Sequence, residues 1–152
     1  MSGNRNHGAR ARSRARRLAM QGLYQWQLSG GDAGEIIAQL HLSQEAKNTE
    51  LDYFDVLLRD CVAEHATLTA AFESHLDRPI EQLDPIERAI LLLGIYELKA
   101  CPDVPYRVVL NEAVELAKSF GGEDSHKDSN AILDRAAEEY RAPEKQARVR
   151  AT

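Results

Sequence analysis

The sequence predicts an all-α fold, a compact bundle of about six or seven helices, and three observations carry that prediction. Apolar residues recur at spacings of three and four through most of the chain, capping residues stand where those runs begin and end, and no segment alternates convincingly as a strand. At 152 residues the chain suits one domain that buries about 68–70% of its unfolded surface without staples. Periodicity alone leaves open whether the helices form one bundle or two stacked sub-bundles.

Residues 1–11 hold Gly, Asn and Arg without apolar periodicity and are expected to be a disordered basic arm. A single helical domain is expected over 12–141. Its first helix runs to Leu28 with an apolar face of Ala15, Leu18, Ala19, Gly22, Leu23 and Trp26, while Arg10, Arg14, Arg17, Gln21 and Tyr24 form a second stripe of the same spacing. Two readings fit that stripe equally: a face for RNA, with arginines on phosphates and tyrosine on an unstacked base, or a solvated face with Tyr24 partly packed.

After Ser29-Gly30-Gly31, Asp32 caps a short helix with Ile36, Ile37 and Leu40 inward. Beyond the polar linker 43–49, Asn48 or Thr49 caps one long helix whose stripe is Leu51, Phe54, Leu58, Cys61, His65, Leu68 and Phe72, with His65 a core or boundary residue. Asp77-Arg78-Pro79 ends it. Asp84, Pro85 and Glu87 then read as cap, first helical residue and capping-box carboxylate. The helix they open is apolar almost all round, with Glu87, Arg88 and Glu97 as its exposed points, so it should lie among packed neighbours.

Pro105 starts the next helical run, with Val109, Ala113, Leu116, Ala117 and Phe120 on one stripe, and Gly121-Gly122 suit a left-handed cap. Asp124 or Ser125 caps the last long helix, whose stripe is Ser129, Ile132, Leu133, Ala136 and Tyr140. Ala142-Pro143 stops it, and residues 142–152 are expected to be a flexible tail.

The net charge of -5 hides a division. Residues 1–20 contain six arginines and no acid, so they carry +6 and leave the rest of the chain at -11. A basic arm on an acidic body points to an anionic partner, nucleic acid first, although an arginine-rich, acid-poor start also describes a mitochondrial presequence. Cys61 and Cys101 lie far apart outside any zinc or redox spacing and read as two buried thiols of a reducing cytoplasm. No apolar run reaches the roughly 18 residues of a membrane span. No phosphate loop, metal motif or spaced carboxylate pair appears, so neither enzyme nor cofactor nor metal is expected. Asp124, Ser125 and His126 are consecutive, point in different directions at a helix start, and cannot form a catalytic relay.

Three segments in order, RRLAMQGLYQWQL at 16–28, LDPIERAILLLGIYEL at 83–98 and DVPYRVVLNEAVELAKSFGGEDSHK at 103–127, make the chain resemble the NusB family of bacterial antitermination factors over about residues 14–137. The resemblance implies an all-helical fold of two sub-bundles, no catalysis, a cytoplasmic setting, and binding of boxA RNA together with NusE, a small-subunit ribosomal protein, within a complex of RNA polymerase and other Nus factors. It assigns RNA contact to Arg12, Arg14, Arg16, Arg17, Gln21, Tyr24, Asp124 and Lys127, and partner contact to Glu87, Arg88 and Tyr106. Related domains occur fused to RNA 5-methylcytosine methyltransferases, for which this chain has no room.

One departure stands out. Where the family usually continues Phe-Val-Asn-Gly after Ser-His-Lys, this chain has Asp128, Ser129, Asn130 and Ala131. Losing a stacked aromatic costs about 1–3 kcal/mol, and a carboxylate adds repulsion toward phosphate. With Ser125 as cap, Asp128 at the third helical position instead favours the helix dipole. Two alternatives compete with antitermination: a helical adaptor that never touches RNA, and a stand-alone domain aiding ribosomal RNA processing. Salt response separates RNA binding from the adaptor, since four arginines on phosphates give a slope of about -3 in log affinity against log salt.

Overall fold

The structure, a computed structural model, describes the backbone of residues 2–151 and side chains over 8–147. Eight α-helices follow one another: α1 (Ser2–Ser29), α2 (Ala33–His41), α3 (Leu51–Ala63), α4 (His65–Glu73), α5 (Pro85–Ala100), α6 (Tyr106–Phe120), α7 (Ser125–Tyr140) and α8 (Ala142–Ala151). Short 3-10 turns at Gln44–Ala46 and Ile80–Gln82 complete the regular structure, and no strand occurs among the described residues. The chain divides into two compact units, Met1–His65 and Ala66–Thr152.

In the first unit α1, α2 and α3 pack on one another. The apolar face expected for α1 is the buried one: Ala15, Leu18, Ala19 and Leu23 are all within 1% of full burial. Gly22 belongs to that face because a Cβ there would lie 2.6 Å from Leu58 Cδ2, so the absent side chain lets α1 approach α3. Asp32 caps α2 as expected, its Oδ2 accepting from the Glu35 amide at 3.2 Å, and Ile36, Ile37 and Leu40 are buried. The expected long helix is instead two, α3 and α4, parted at Glu64, whose φ and ψ of -105° and 15° leave the helical region. His65 at that break is the boundary residue expected: its Nδ1 lies 2.9 Å from the Val62 carbonyl and its ring meets Trp26 edge-on at 4.9 Å.

In the second unit α5 packs against α6 and α7, and every residue from Ala89 to Leu98 is buried. That burial includes Glu97, at 2% exposure, which the apolar pattern had placed at the surface. Asp84 caps α5, accepting from the Ile86 amide at 2.7 Å, and Pro85 takes the first helical position, where its missing N–H costs nothing. Val109, Ala113, Leu116 and Ala117 of α6 are buried as expected, whereas Phe120 at the helix end is 38% exposed. Cys61 is buried and Cys101 only half-buried, and neither is in a disulfide.

Both chain ends differ from expectation. The residues before Arg12, expected to be disordered, continue α1 back to Ser2, and Met1 lies outside the described residues. Arginine and alanine, both good helix formers, dominate residues 9–19 and extend the helix. Pro143 ends α7 but sits in the first turn of a new helix, α8, instead of opening a tail; Thr152 lies outside the described residues.

What fastens α8 is Arg141, which carried no signal in the sequence. Its guanidinium is 5% exposed and donates to four carbonyls: Nε to Leu98 at 2.9 Å, Nη1 to Val104 at 2.8 Å, and Nη2 to Glu97 at 3.1 Å and Cys101 at 2.8 Å. Nη1 also meets Glu144 Oε1 at 2.7 Å, and the other oxygen of Glu144 accepts from the Tyr106 amide at 2.8 Å, capping α6. Lys145 follows, its ammonium at 3.0 Å from Asp134 and 2.6 Å from Glu138 of α7. Burial works against that charge, but the two carboxylates outweigh it and hold the Lys145 pKa above the usual lysine value.

Replacing Arg141 by Ala strands the Leu98 and Val104 carbonyls, since those of Glu97 and Cys101 keep the Cys101 and Val104 amides, and takes from Glu144 its charge partner, at an expected cost of about 3–5 kcal/mol. Urea unfolding followed by circular dichroism should show the unfolding free energy falling by that amount, with Arg141→Lys recovering only part because an ammonium lacks the planar fork. An unfolding free energy within about 1 kcal/mol of the parent would contradict the clamp.

Candidate nucleic-acid and partner interface

The first unit carries the basic face. Arg10, Arg14, Arg17, Gln21 and Tyr24, spaced by four, three, four and three, are all exposed along one side of α1, with Tyr24 at 37% exposure. This is the second stripe read from the sequence, complete.

The arginines between them are used differently. Arg12 and Arg16, expected to contact RNA, turn toward the start of α3. Arg12 makes a two-pronged pair with Glu50, Nε to Oε2 and Nη2 to Oε1, both at 3.1 Å, and its guanidinium carbon stands 4.2 Å from the centre of the Tyr53 ring. Arg16 is 3% exposed, with its guanidinium 5.7 Å from the same ring. The helix rotation explains the split, because residues 12 and 16 lie next to the buried Ala15 and Ala19 while 10, 14 and 17 do not. Glu50 occupies the cap position of α3 in place of the expected Asn48 or Thr49, and its amide donates to the Ala11 carbonyl at 3.0 Å. Asn48 instead takes a left-handed turn at φ 61°, and Thr49 Oγ1 donates to the Glu45 carbonyl.

The corner at Gly121 belongs to the second unit and is built otherwise than expected. Gly121 is extended, at φ -84° and ψ 172°, and the left-handed residue is Asp124 at φ 66°. A glycine is needed at 121 for space. A Cβ there would collide with Ser125 Oγ and approach the Ala117 carbonyl to 2.7 Å, the carbonyl to which the buried Ser125 hydroxyl donates at 3.4 Å. Asp124 holds the cap position of α7 without a side-chain cap bond, and Oδ1 lies 3.4 Å from Lys127 Nζ. With Asp124 as cap, Asp128 stands at the fourth helical position, one further than expected, and still in the first turn, where the dipole favours it. Both members of the Asp124–Lys127 pair are more than two-thirds exposed, so the pair adds little to stability.

Of the residues assigned to a protein partner, Glu87 is engaged by Arg78, whose Nη2 donates to Oε2 at 2.9 Å, and not in a capping box. Arg78 is shared, since its Nη1 is 4.0 Å from Asp128 Oδ2. Glu87, Arg78 and Asp128 thus form one chain of alternating charge, a link invisible to sequence spacing. Asp128 also lines a pocket of about 150 Å³ with His75, Asp77, Ala131, Ile132 and Arg135. Arg88 is half-buried beside Glu87 in sequence, with its Nε buried and unpaired, and Tyr106 is half-buried with Lys145 Nζ 5.8 Å from its ring centre. Among the described residues no cluster of three metal-binding side chains occurs, and no helix is long and apolar enough to cross a membrane.

An all-helical protein with an arginine-rich outer face on its first helix is the class these features define. Its sequence matches the model of the NusB family over residues 13–138. The transcription antitermination protein NusB of Cupriavidus pinatubonensis is 53% identical over 138 residues, spanning 91% of this chain and 83% of that protein, and its counterpart in Ralstonia pickettii is 51% identical over 138 residues, spanning 91% and 89%. Among solved structures, T. maritima NusB superposes with a TM-score of 0.76 at 25% identity, over 88% of this chain and 96% of that one. A chain from the crystal structure of antitermination factors NusB and NusE in complex with dsRNA gives 0.75 at 29% identity, over 86% and 98%. The chain belongs to the NusB family.

Burial raises the Glu87 pKa above the ordinary glutamate value, Asp84 and Asp128 add to the rise, and the Arg78 guanidinium only partly offsets it. A folded-state pKa above the unfolded one means that the native chain binds this proton more tightly. Stability from Glu87 is therefore full below the unfolded value and declines as pH rises through the folded one. Carbon-detected NMR titration should find Glu87 ionising above 4.5, the ordinary value, and Asp128→Asn should lower its midpoint. A midpoint at or below that value would refute the burial argument.

Proposed function

We propose that this chain is a transcription antitermination factor that binds boxA RNA of nascent ribosomal RNA transcripts together with NusE, in a complex with RNA polymerase and other Nus factors. No reaction is part of the role. The observation that carries the reading is the exposed stripe Arg10, Arg14, Arg17, Gln21 and Tyr24, in which cations spaced along one helix edge end on an aromatic ring. Membership of the NusB family supports it, as does the likeness to a NusB chain solved with NusE and dsRNA. On the second unit, Lys127 offers a further phosphate contact next to Asp124, while Glu87, Arg88 and Tyr106 face the protein partner.

Because Arg12 and Arg16 are taken up by Glu50 and Tyr53, the phosphate-binding cations of the arm are Arg10, Arg14 and Arg17. At about 0.7 per phosphate on a single strand, these three together with Lys127 give a slope near -3 in log affinity against log salt. Gel shift and fluorescence anisotropy with boxA RNA, alone and with NusE, over a salt series test the reading. A shift with that slope is expected, and absence of any shift even with NusE present would leave a protein adaptor instead.

At the corner, Asp128 weakens RNA binding relative to an aromatic residue, and the arm supplies more of the affinity. Arg78 tempers the repulsion without removing it, since the pair is 4.0 Å apart and Asp128 is half exposed. Asp128→Phe should tighten boxA binding by about 1–3 kcal/mol in the same titration. Unchanged affinity would show that the corner does not meet a base.

A further inference from the structure

We infer that Glu50 and Tyr53, at the start of α3, are positioning residues of the RNA-binding edge: they hold Arg12 and Arg16 inward and so fix the rotation of α1 that turns Arg10, Arg14 and Arg17 outward. The inference rests on the RNA-binding reading and deepens it by adding two residues on a different helix.

A helix exposes one set of side chains only if another set is anchored. Here charged anchors act beside the apolar one: the buried face of Ala15, Leu18, Ala19 and Leu23 seats α1, and Arg12 and Arg16 add contacts at the edge of that face. Arg12 and Glu50 meet through two hydrogen bonds at 3.1 Å, the planar fork geometry that admits one orientation. Beneath them the Tyr53 ring serves both arginines, at 4.2 Å from Arg12 and 5.7 Å from Arg16, within reach of cation–π attraction. The Ala11 carbonyl accepts the Glu50 amide at 3.0 Å, so the backbone of α1 is tied to α3 at the same level. Four residues further along than Arg12, Arg16 is buried, which locks the rotation over more than a turn of helix. Arg14 projects from between them and Arg17 from just beyond Arg16, and both are exposed.

An opposite view of the same contacts is available: Glu50 withholds Arg12 from phosphate, so that its removal releases a cation. The two views differ in sign. Glu50→Gln deletes a negative charge close to the RNA-binding face, and simple electrostatics makes it bind RNA more tightly. If Glu50 positions the helix, the same variant binds less tightly. Tyr53→Leu keeps an apolar side chain and the net charge but removes the π face, and Tyr53→Phe keeps the face and removes only the hydroxyl.

The test is a boxA titration of the full chain and these three variants over a salt series, with thermal unfolding by circular dichroism as the control for folding. Expected are losses of about fivefold for Glu50→Gln and Tyr53→Leu, the size of one partly buried cation–π or ion-pair contact, and parental affinity for Tyr53→Phe. The salt slope should stay within about 0.3 of the parent, less than half of one phosphate contact. Tighter binding of Glu50→Gln with a steeper slope would overturn the inference in favour of a withheld Arg12. Parental affinity in both Glu50→Gln and Tyr53→Leu would overturn it outright while leaving RNA binding intact. A parent chain that fails to bind RNA would overturn both this inference and the reading beneath it.

Discussion

The second unit depends on how the C-terminal end of α5 is satisfied. A helix leaves its last carbonyls without partners, and an apolar helix buried from Ala89 to Leu98 cannot hand them to water. Arg141 takes the carbonyls of Glu97 and Leu98 at the helix end and those of Cys101 and Val104 in the following turn. Its charge is balanced by Glu144, which also caps α6 through the Tyr106 amide. Two side chains three residues apart therefore settle where α5 ends, where α6 begins, and how α7 passes into α8. With α5 fixed at that end, its other end is held in turn by the Asp84 cap, and Glu87 is presented one turn above it to Arg78.

The same residues show what a sequence can reveal. Local signals were legible because their physics is local. Asp32 and Asp84 cap the helices they precede, and the buried and exposed stripes of α1 follow from a rotation of about 100° per residue. Gly22 sits on the buried stripe for the same reason. Contacts between distant segments were not legible. Arg141 looks like any arginine at a helix end, and only the fold brings the carbonyls of residues 97–104 to it. The single long helix expected over 49–72 breaks at Glu64 without glycine or proline to mark the site. The corner was legible as a cap but not in its mechanism: Gly121 serves close packing against Ser125, and an aspartate, which tolerates the left-handed region better than most residues, supplies the turn.

Family resemblance has a similar limit, and the arginines of α1 illustrate it. Resemblance assigns Arg12, Arg14, Arg16 and Arg17 to one role because they share a motif. Their surroundings divide them: Arg12 and Arg16 are enclosed by Glu50 and Tyr53, while Arg14 and Arg17 stand exposed with Arg10. Net charge overstates the cation available to a phosphate, since a guanidinium already paired to carboxylate adds little field at the surface. Placing a carboxylate next to an RNA-binding face would ordinarily be costly. At Glu50 the cost is offset because Arg12 neutralises it in fork geometry, so the pair presents almost no net charge to an approaching strand. Arg78 stands to Asp128 in a looser version of that relation, at 4.0 Å and shared with Glu87, so neutralisation there is incomplete. Two acidic residues near two proposed RNA contacts thus differ in consequence, and the difference lies in how completely an arginine is committed to each.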